Sequence, residues 1–237
     1  MTAHRTNRAS SWVLAASSGL LDLLLDVRCL GCRQPGVVWC VRCVHAAWSP
    51  HVHNERVGQP VVSAAPYAGG VRRAVVAHKE RGQLGLAPPL GRLLAGAVAC
   101  FPLTGRVRLV PCPSNTAVIR ARGQDHARRL ADQAARSLRN AGIDVTVVSP
   151  LTLTRSISDQ VGLSVQQRQD NLRNTVVAQT PSTPGTAVII VDDVTTSGST
   201  LSEANRALLG AGWSVLGSAV VARAGPHMGV ADAGSLG

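Results

Sequence analysis

Apolar β-formers recur along the chain in short runs, separated by stretches whose apolar residues return at helical spacing. Residues 61–67, 107–110, 145–148, 187–191 and 214–222 read as strands. Residues 71–81, 90–99, 126–140 and 201–209 read as helices, the third followed by Gly142 and the fourth by Gly210. Val188-Ile189-Ile190-Val191 has no polar alternation, which suits a strand covered on both faces. Strands alternating with helices predict an α/β domain on a parallel sheet, with ligands at the carboxyl ends of the strands. Ahead of it, Leu20, Leu21, Leu24 and Leu25 share one face of an amphipathic helix, with Asp22 and Asp26 on another. Residues 49–60 read as a polar linker and 150–175 as an irregular polar segment. The pattern divides the chain into a leader helix with a cysteine knuckle at 20–50, the α/β domain at 61–223, and a disordered Gly/Ala-rich tail at 224–237.

Composition adjusts this picture in two ways. Aromatic residues make up 3% of the 237 positions against 45% hydrophobic, so the core must be aliphatic. The net charge is +11 and Lys79 is the sole lysine, so the excess is arginine. Arginine's planar fork favours bidentate phosphate contacts, which suits a polyphosphate, a nucleic acid, or solvated faces with no partner. The acidic residues at 22 and 26 interrupt the apolar stretch 12–27, no run approaches the length of a membrane span, and the chain reads as cytoplasmic.

Cys29-x2-Cys32 and Cys40-x2-Cys43 form two knuckles within fifteen residues. In a reducing compartment that spacing predicts a closed tetrathiolate zinc site, structural because no coordination position is left open. Disulfide pairing is the alternative. His45 reads as a bystander, and Cys100 and Cys112 as ordinary core or near-core cysteines.

The densest chemistry follows the 187–191 strand. Asp192-Asp193 stands before Val194-Thr195-Thr196-Ser197-Gly198-Ser199-Thr200 and then a helix. A small, hydroxyl-rich loop opening a helix offers backbone N–H groups and hydroxyls to a phosphate dianion. Two adjacent carboxylates can grip vicinal hydroxyls or a hydrated divalent cation. The bland reading is an ordinary strand–turn–helix with a capping aspartate, yet two adjacent carboxylates repel and need an offsetting cation or donors. Neither a P-loop nor a dinucleotide fingerprint is present. The segment resembles the 5-phosphoribosyl-1-diphosphate (PRPP) motif of type I phosphoribosyltransferases.

Further segments, in order, resemble the competence protein ComF family, also described as GntX-like or amidophosphoribosyltransferase-like. The leucine-rich leader and four cysteines match its opening. Tyr67-Ala68-Gly69-Gly70-Val71-Arg72 with His78-Lys79-Glu80-Arg81-Gly82 is similar to a second element, with Glu80 in place of the usual aromatic. Val110-Pro111-Cys112-Pro113-Ser114 with Arg120, Arg122 and Gly123 resembles a third, although Gln124-Asp125-His126 stands where Phe-Asn-Gln is usual. Gln160, Leu163-Ser164, Arg168 and Asn171 resemble a fourth, with Ile157 where a threonine is common.

The resemblance implies a parallel-sheet type I phosphoribosyltransferase fold with a small N-terminal four-cysteine zinc module. It also implies Mg2+-dependent transfer of the 5-phosphoribosyl group of PRPP to an unnamed acceptor, with release of diphosphate. On that footing Thr195, Thr196, Ser197, Gly198, Ser199 and Thr200 hold the 5′-phosphate, and Asp192 and Asp193 hold the ribose hydroxyls and organise magnesium. Arg122 and Arg155 are assigned to the diphosphate, and Lys79 to a phosphate contact. The alternative is a PRPP-binding protein without turnover that engages single-stranded DNA during DNA uptake, although six aromatic residues leave few stacking platforms.

Overall fold

The computed structural model describes residues 27–53, 58–114, 125–154, 175–183 and 187–225. The chain order is α1 (Val41–Ala47), β1 (His51–His53), β2 (Val61–Pro66), α2 (Gly69–Glu80) and α3 (Ala87–Ala99). It continues through β3 (Val107–Pro111), α4 (His126–Asn140), β4 (Val145–Val147), β5 (Leu151–Leu153), β6 (Val176–Ala178), β7 (Ala187–Thr195), α5 (Ser199–Gly210) and β8 (Ser214–Arg223).

Six strands form one sheet in the order β1-β2-β8-β7-β3-β4. β2, β8, β7, β3 and β4 run parallel, and β1 pairs antiparallel on the β2 edge. Alternating residues of β7 feed opposite faces. Ile189 and Val191 join the cluster under α3 and α4, while Val188 and Ile190 join the cluster under α5. This two-sided burial explains the unbroken apolar run that the sequence shows.

Each helix has a local cause. Asp125 caps α4 by accepting the Arg128 N–H at 3.0 Å, and Ala127, Leu130, Ala131, Ala134 and Leu138 form its buried face. Pro88 and Pro89 lie in the first turn of α3, where their missing N–H groups cost nothing. A Cβ on Gly91 would come 2.4 Å from the Gln133 Cβ, so α3 and α4 meet at a distance that only glycine allows.

The structure corrects three expectations. Residues 51–53, read as part of a linker, add a strand to the sheet edge. Residues 151–153, inside the segment read as irregular, pair antiparallel with 176–178. That pair is tied to α5: the buried Glu203 accepts the Val176 N–H at 3.2 Å, and the Trp213 Nε1–H donates to the Gln179 carbonyl at 2.7 Å. Cys100, read as a core or near-core cysteine, is instead exposed just past the end of α3. Its position was misjudged because the helix turns its last residues out of the core. Among the described residues no helix is long and apolar enough to cross a membrane.

Candidate functional site

β7 runs farther than the sequence pattern suggests. The ladder continues through Asp192↔Val220, Val194↔Ala222 and Thr195↔Arg223, so the acidic pair sits inside the strand, near its carboxyl end, and not beyond it. The ladder overrides the expected break because backbone pairing with β8 satisfies N–H and C=O groups that a loop would leave open. Residues 196–198 then turn the chain, with Gly198 in the left-handed region at φ 75° as the residue preceding α5. The Ser197 and Ser199 hydroxyls lie 2.7 Å apart across this turn. Thr195, Thr196, Ser197 and Gly198, with His53, Val61 and Arg223, line a shallow open depression.

The two carboxylates differ. Asp193 is buried, accepts the Val194 N–H at 2.7 Å, and forms an ion pair with Lys79 at 2.9 Å from Oδ2 and 3.3 Å from Oδ1. Asp192 accepts the Asp193 N–H at 2.8 Å. Burial first, and then the charge of Asp193, push the Asp192 carboxyl up to about 7, against the lowering influence of Lys79 and the Asp193 N–H. Register makes the next neighbour: Pro111 of β3 lies opposite Val191, which sets Cys112 beside Asp192. Burial first, then the charge of Asp192 and a hydrogen bond to it, raise the Cys112 thiol well above its ordinary value. Cys112 is buried in the core, as the sequence predicts, and its place beside Asp192 follows from the β3–β7 register.

Lys79 reaches the pair from the last turn of α2. Its neighbour His78 is buried against His126 of α4, ring centroids 5.3 Å apart and edge to face. Burial, with the nearby His126 and Arg129, holds His78 down at about 4, so it is neutral at physiological pH. Arg122 and Arg155 lie outside the described residues, as do Arg120, Gly123, Gln124, Ile157, Gln160, Leu163, Ser164, Arg168, Asn171 and the leader at 20–26.

The four cysteines converge. The Sγ atoms of Cys29, Cys32, Cys40 and Cys43 all lie within 4.8 Å of one another, and all four thiols are free. Cys32 and Cys40 are 3.7 Å apart, close to the edge of about 3.8 Å that a tetrahedron with metal–sulfur bonds of about 2.3 Å requires. The Gly31 and Cys40 N–H groups donate to the Cys29 sulfur at 3.4 and 3.3 Å. Burial works to raise the Cys29 thiol, but donors from Cys40, Cys32 and Gly31 outweigh it and bring it down to about 6. A Cβ on Gly31 would lie 2.5 Å from the Cys43 sulfur, so the knuckle needs glycine there. The group can hold a metal, and its all-sulfur donor set fits zinc. His45 lies outside it.

Residues 124–233 match the family model of the phosphoribosyl transferase domain. This chain carries a phosphoribosyltransferase-like domain. The match runs from the start of α4 past the end of β8 and takes in the acidic pair and the hydroxyl loop. Lys79 and the cysteine group precede the matched phosphoribosyltransferase span. No curated protein matches the chain.

Proposed function

We propose that the protein is a type I phosphoribosyltransferase of the ComF kind that binds PRPP with magnesium and transfers its 5-phosphoribosyl group to an acceptor, releasing diphosphate. The observation that carries this reading is the direct succession of Asp192, Asp193 and the hydroxyl-rich Thr195–Thr200 segment at the carboxyl end of a central parallel strand. Carboxylates suited to a ribose diol and a turn suited to its 5′-phosphate sit next to each other along one backbone.

The donor set fits a magnesium ion. Burial and the charge of Asp193 disfavour Asp192 as an anion, and a divalent cation beside the pair would relieve that cost. Asp192 and Asp193 would hold the ion and the ribose hydroxyls; when bound, magnesium supplies charge neutralisation for the departing diphosphate. In the reaction the bond from C1 to the diphosphate oxygen breaks and its electron pair leaves with diphosphate. A lone pair of the acceptor forms the new bond to C1, and the acceptor's proton passes to solvent or a base. The chain's own task is positioning. The turn fixes the 5′-phosphate, Asp193 fixes the diol, and Lys79 offers positive charge at the same edge. Arg122 and Arg155 are the proposed diphosphate ligands.

The DNA-binding alternative draws on the arginine excess, but Arg106, Arg128 and Arg206 are paired with Asp144, Asp132 and Glu203. Each pair offsets the charge of one arginine that a phosphate-tracking surface could otherwise use.

Calorimetric titration of PRPP with and without magnesium, followed by diphosphate release over an acceptor panel, tests the reading. Asp192→Asn combined with Asp193→Asn should abolish magnesium-dependent binding in a folded protein. Unchanged affinity in that variant defeats the site assignment, and tight PRPP binding with no diphosphate release, together with salt-sensitive DNA binding, favours the alternative.

A further inference from the structure

Helix α2 joins the two chemical centres of the molecule. Its N-terminal end is gripped by the cysteine module. Arg73 donates twice to the Leu30 carbonyl, from Nε at 3.0 Å and from Nη2 at 2.6 Å, and Leu30 lies inside the Cys29–Cys32 knuckle. A Cβ built on Gly70 would sit 3.7 Å from the Gly31 Cα and 3.8 Å from the Trp39 Nε1, so knuckle and helix lie about one methyl group apart there. Cys29, Trp39 and Val44 share one apolar cluster with Val71, Ala74 and Val75 of α2. The C-terminal end carries His78, buried against His126, and Lys79, paired with Asp193. With 12 residues, α2 spans about 17 Å as a single rigid rod.

We propose that the four-cysteine module acts as a positioning element for the acidic site: by fixing the start of α2 it sets Lys79 on Asp193, so metal occupancy at the cysteines governs the geometry of the site. The consequence for PRPP rests on the proposed function; the mechanical coupling does not. The segment around the module also packs on α3, where Trp48 lies against Gly96, but α2 is the element that carries Lys79 to Asp193. The module's group of sulfurs is closed, and its backbone carbonyl at Leu30 is committed to Arg73. Without metal the knuckle loses the cross-link that orders Leu30 and Gly31. The helix then keeps its apolar contacts but loses the polar grip that fixes its axis. Lys79 stands at the far end, where a small rotation moves Nζ most.

Lys79 is the sole lysine in the chain, which makes amine acylation followed by mass spectrometry a specific probe of its environment. Half-exposed and ion-paired, it should react slowly in the zinc-loaded full-length protein. Stripping zinc with a chelator should raise its acylation rate about five-fold or more and speed amide exchange in residues 69–80. Arg73→Met, with zinc retained, should reproduce both changes and weaken PRPP binding several-fold. If chelation unfolds the whole chain, by loss of its circular dichroism, the Arg73→Met protein decides. Unchanged acylation and exchange in Arg73→Met overturns the coupling. A wild type that fails to bind PRPP when zinc-loaded, yet shows both changes on zinc removal, keeps the coupling and removes the proposed function instead.

Discussion

At the scale of single residues, the site holds two titrating groups with opposite slopes. His78 is held at about 4, below its ordinary value of 6.5, by burial. The unfolded chain therefore binds more protons between those values, and this group makes stability rise with pH there. Asp192 is raised from 3.8 to about 7, chiefly by burial. Its folded form binds more protons across that window, so its contribution is fully present at low pH and is lost as pH rises toward 7. Above pH 6.5 only the second slope remains. Asp192→Asn should equal wild type in stability near pH 4 and exceed it by roughly 1–2 kcal/mol at pH 8, as read by denaturant melts across the range. A difference that stays constant from pH 4 to 8 would exclude the perturbed carboxyl.

At the scale of elements, most strands and helices were legible because their cause is local. The helix at 126–140 carries its own cap at Asp125 and a regular apolar face, and its bounds agree with the pattern. The β1 strand was illegible because three residues that pair only at an edge have no period of their own to read. The length of β7 was misjudged for a related reason. Asp192 and Asp193 look like strand breakers in one dimension, but the ladder to β8 holds them in extended form. The cysteine group and the acidic pair were legible from spacing alone, whereas the Lys79–Asp193 pair, 114 positions apart, exists only once the sheet and α2 are assembled. Close approaches are likewise invisible in sequence, and they reverse a familiar rule. Glycine to alanine within a helix ordinarily stabilises by about 1 kcal/mol. At Gly91 the added Cβ would meet the Gln133 Cβ at 2.4 Å and the Ala134 backbone nitrogen at 3.2 Å, so α3 and α4 must separate. Gly91→Ala should therefore destabilise the protein by about 1–3 kcal/mol in thermal or denaturant unfolding. A gain in stability would show that the helices are farther apart than described.

At the scale of the whole molecule, the central strands, α2, α4 and α5 converge on one edge of the sheet, and what binds there should stabilise the entire fold by mass action. A ligand present at about 100 times its dissociation constant adds about 2.7 kcal/mol. For a chain of this length each kcal/mol raises the melting temperature by about 2–4 °C, so PRPP with magnesium should shift it by roughly 5–10 °C. The shift should vanish in the Asp192→Asn, Asp193→Asn protein, which removes both carboxylates but leaves the hydroxyl turn intact. Inorganic phosphate at the same excess over its own dissociation constant should stabilise wild type and this variant alike, because the turn alone can take a phosphate. That contrast separates recognition of a phosphorylated ribose from recognition of phosphate. Single-stranded DNA makes a different demand on the molecule. Its stabilisation would fall steeply with salt, following the number of phosphates neutralised, and would survive loss of the acidic pair. On the phosphoribosyltransferase reading the shift with DNA at physiological salt is near zero, and Arg136→Ala on the exposed face of α4 leaves it so, whereas on the DNA-binding reading that substitution weakens a shift that is present.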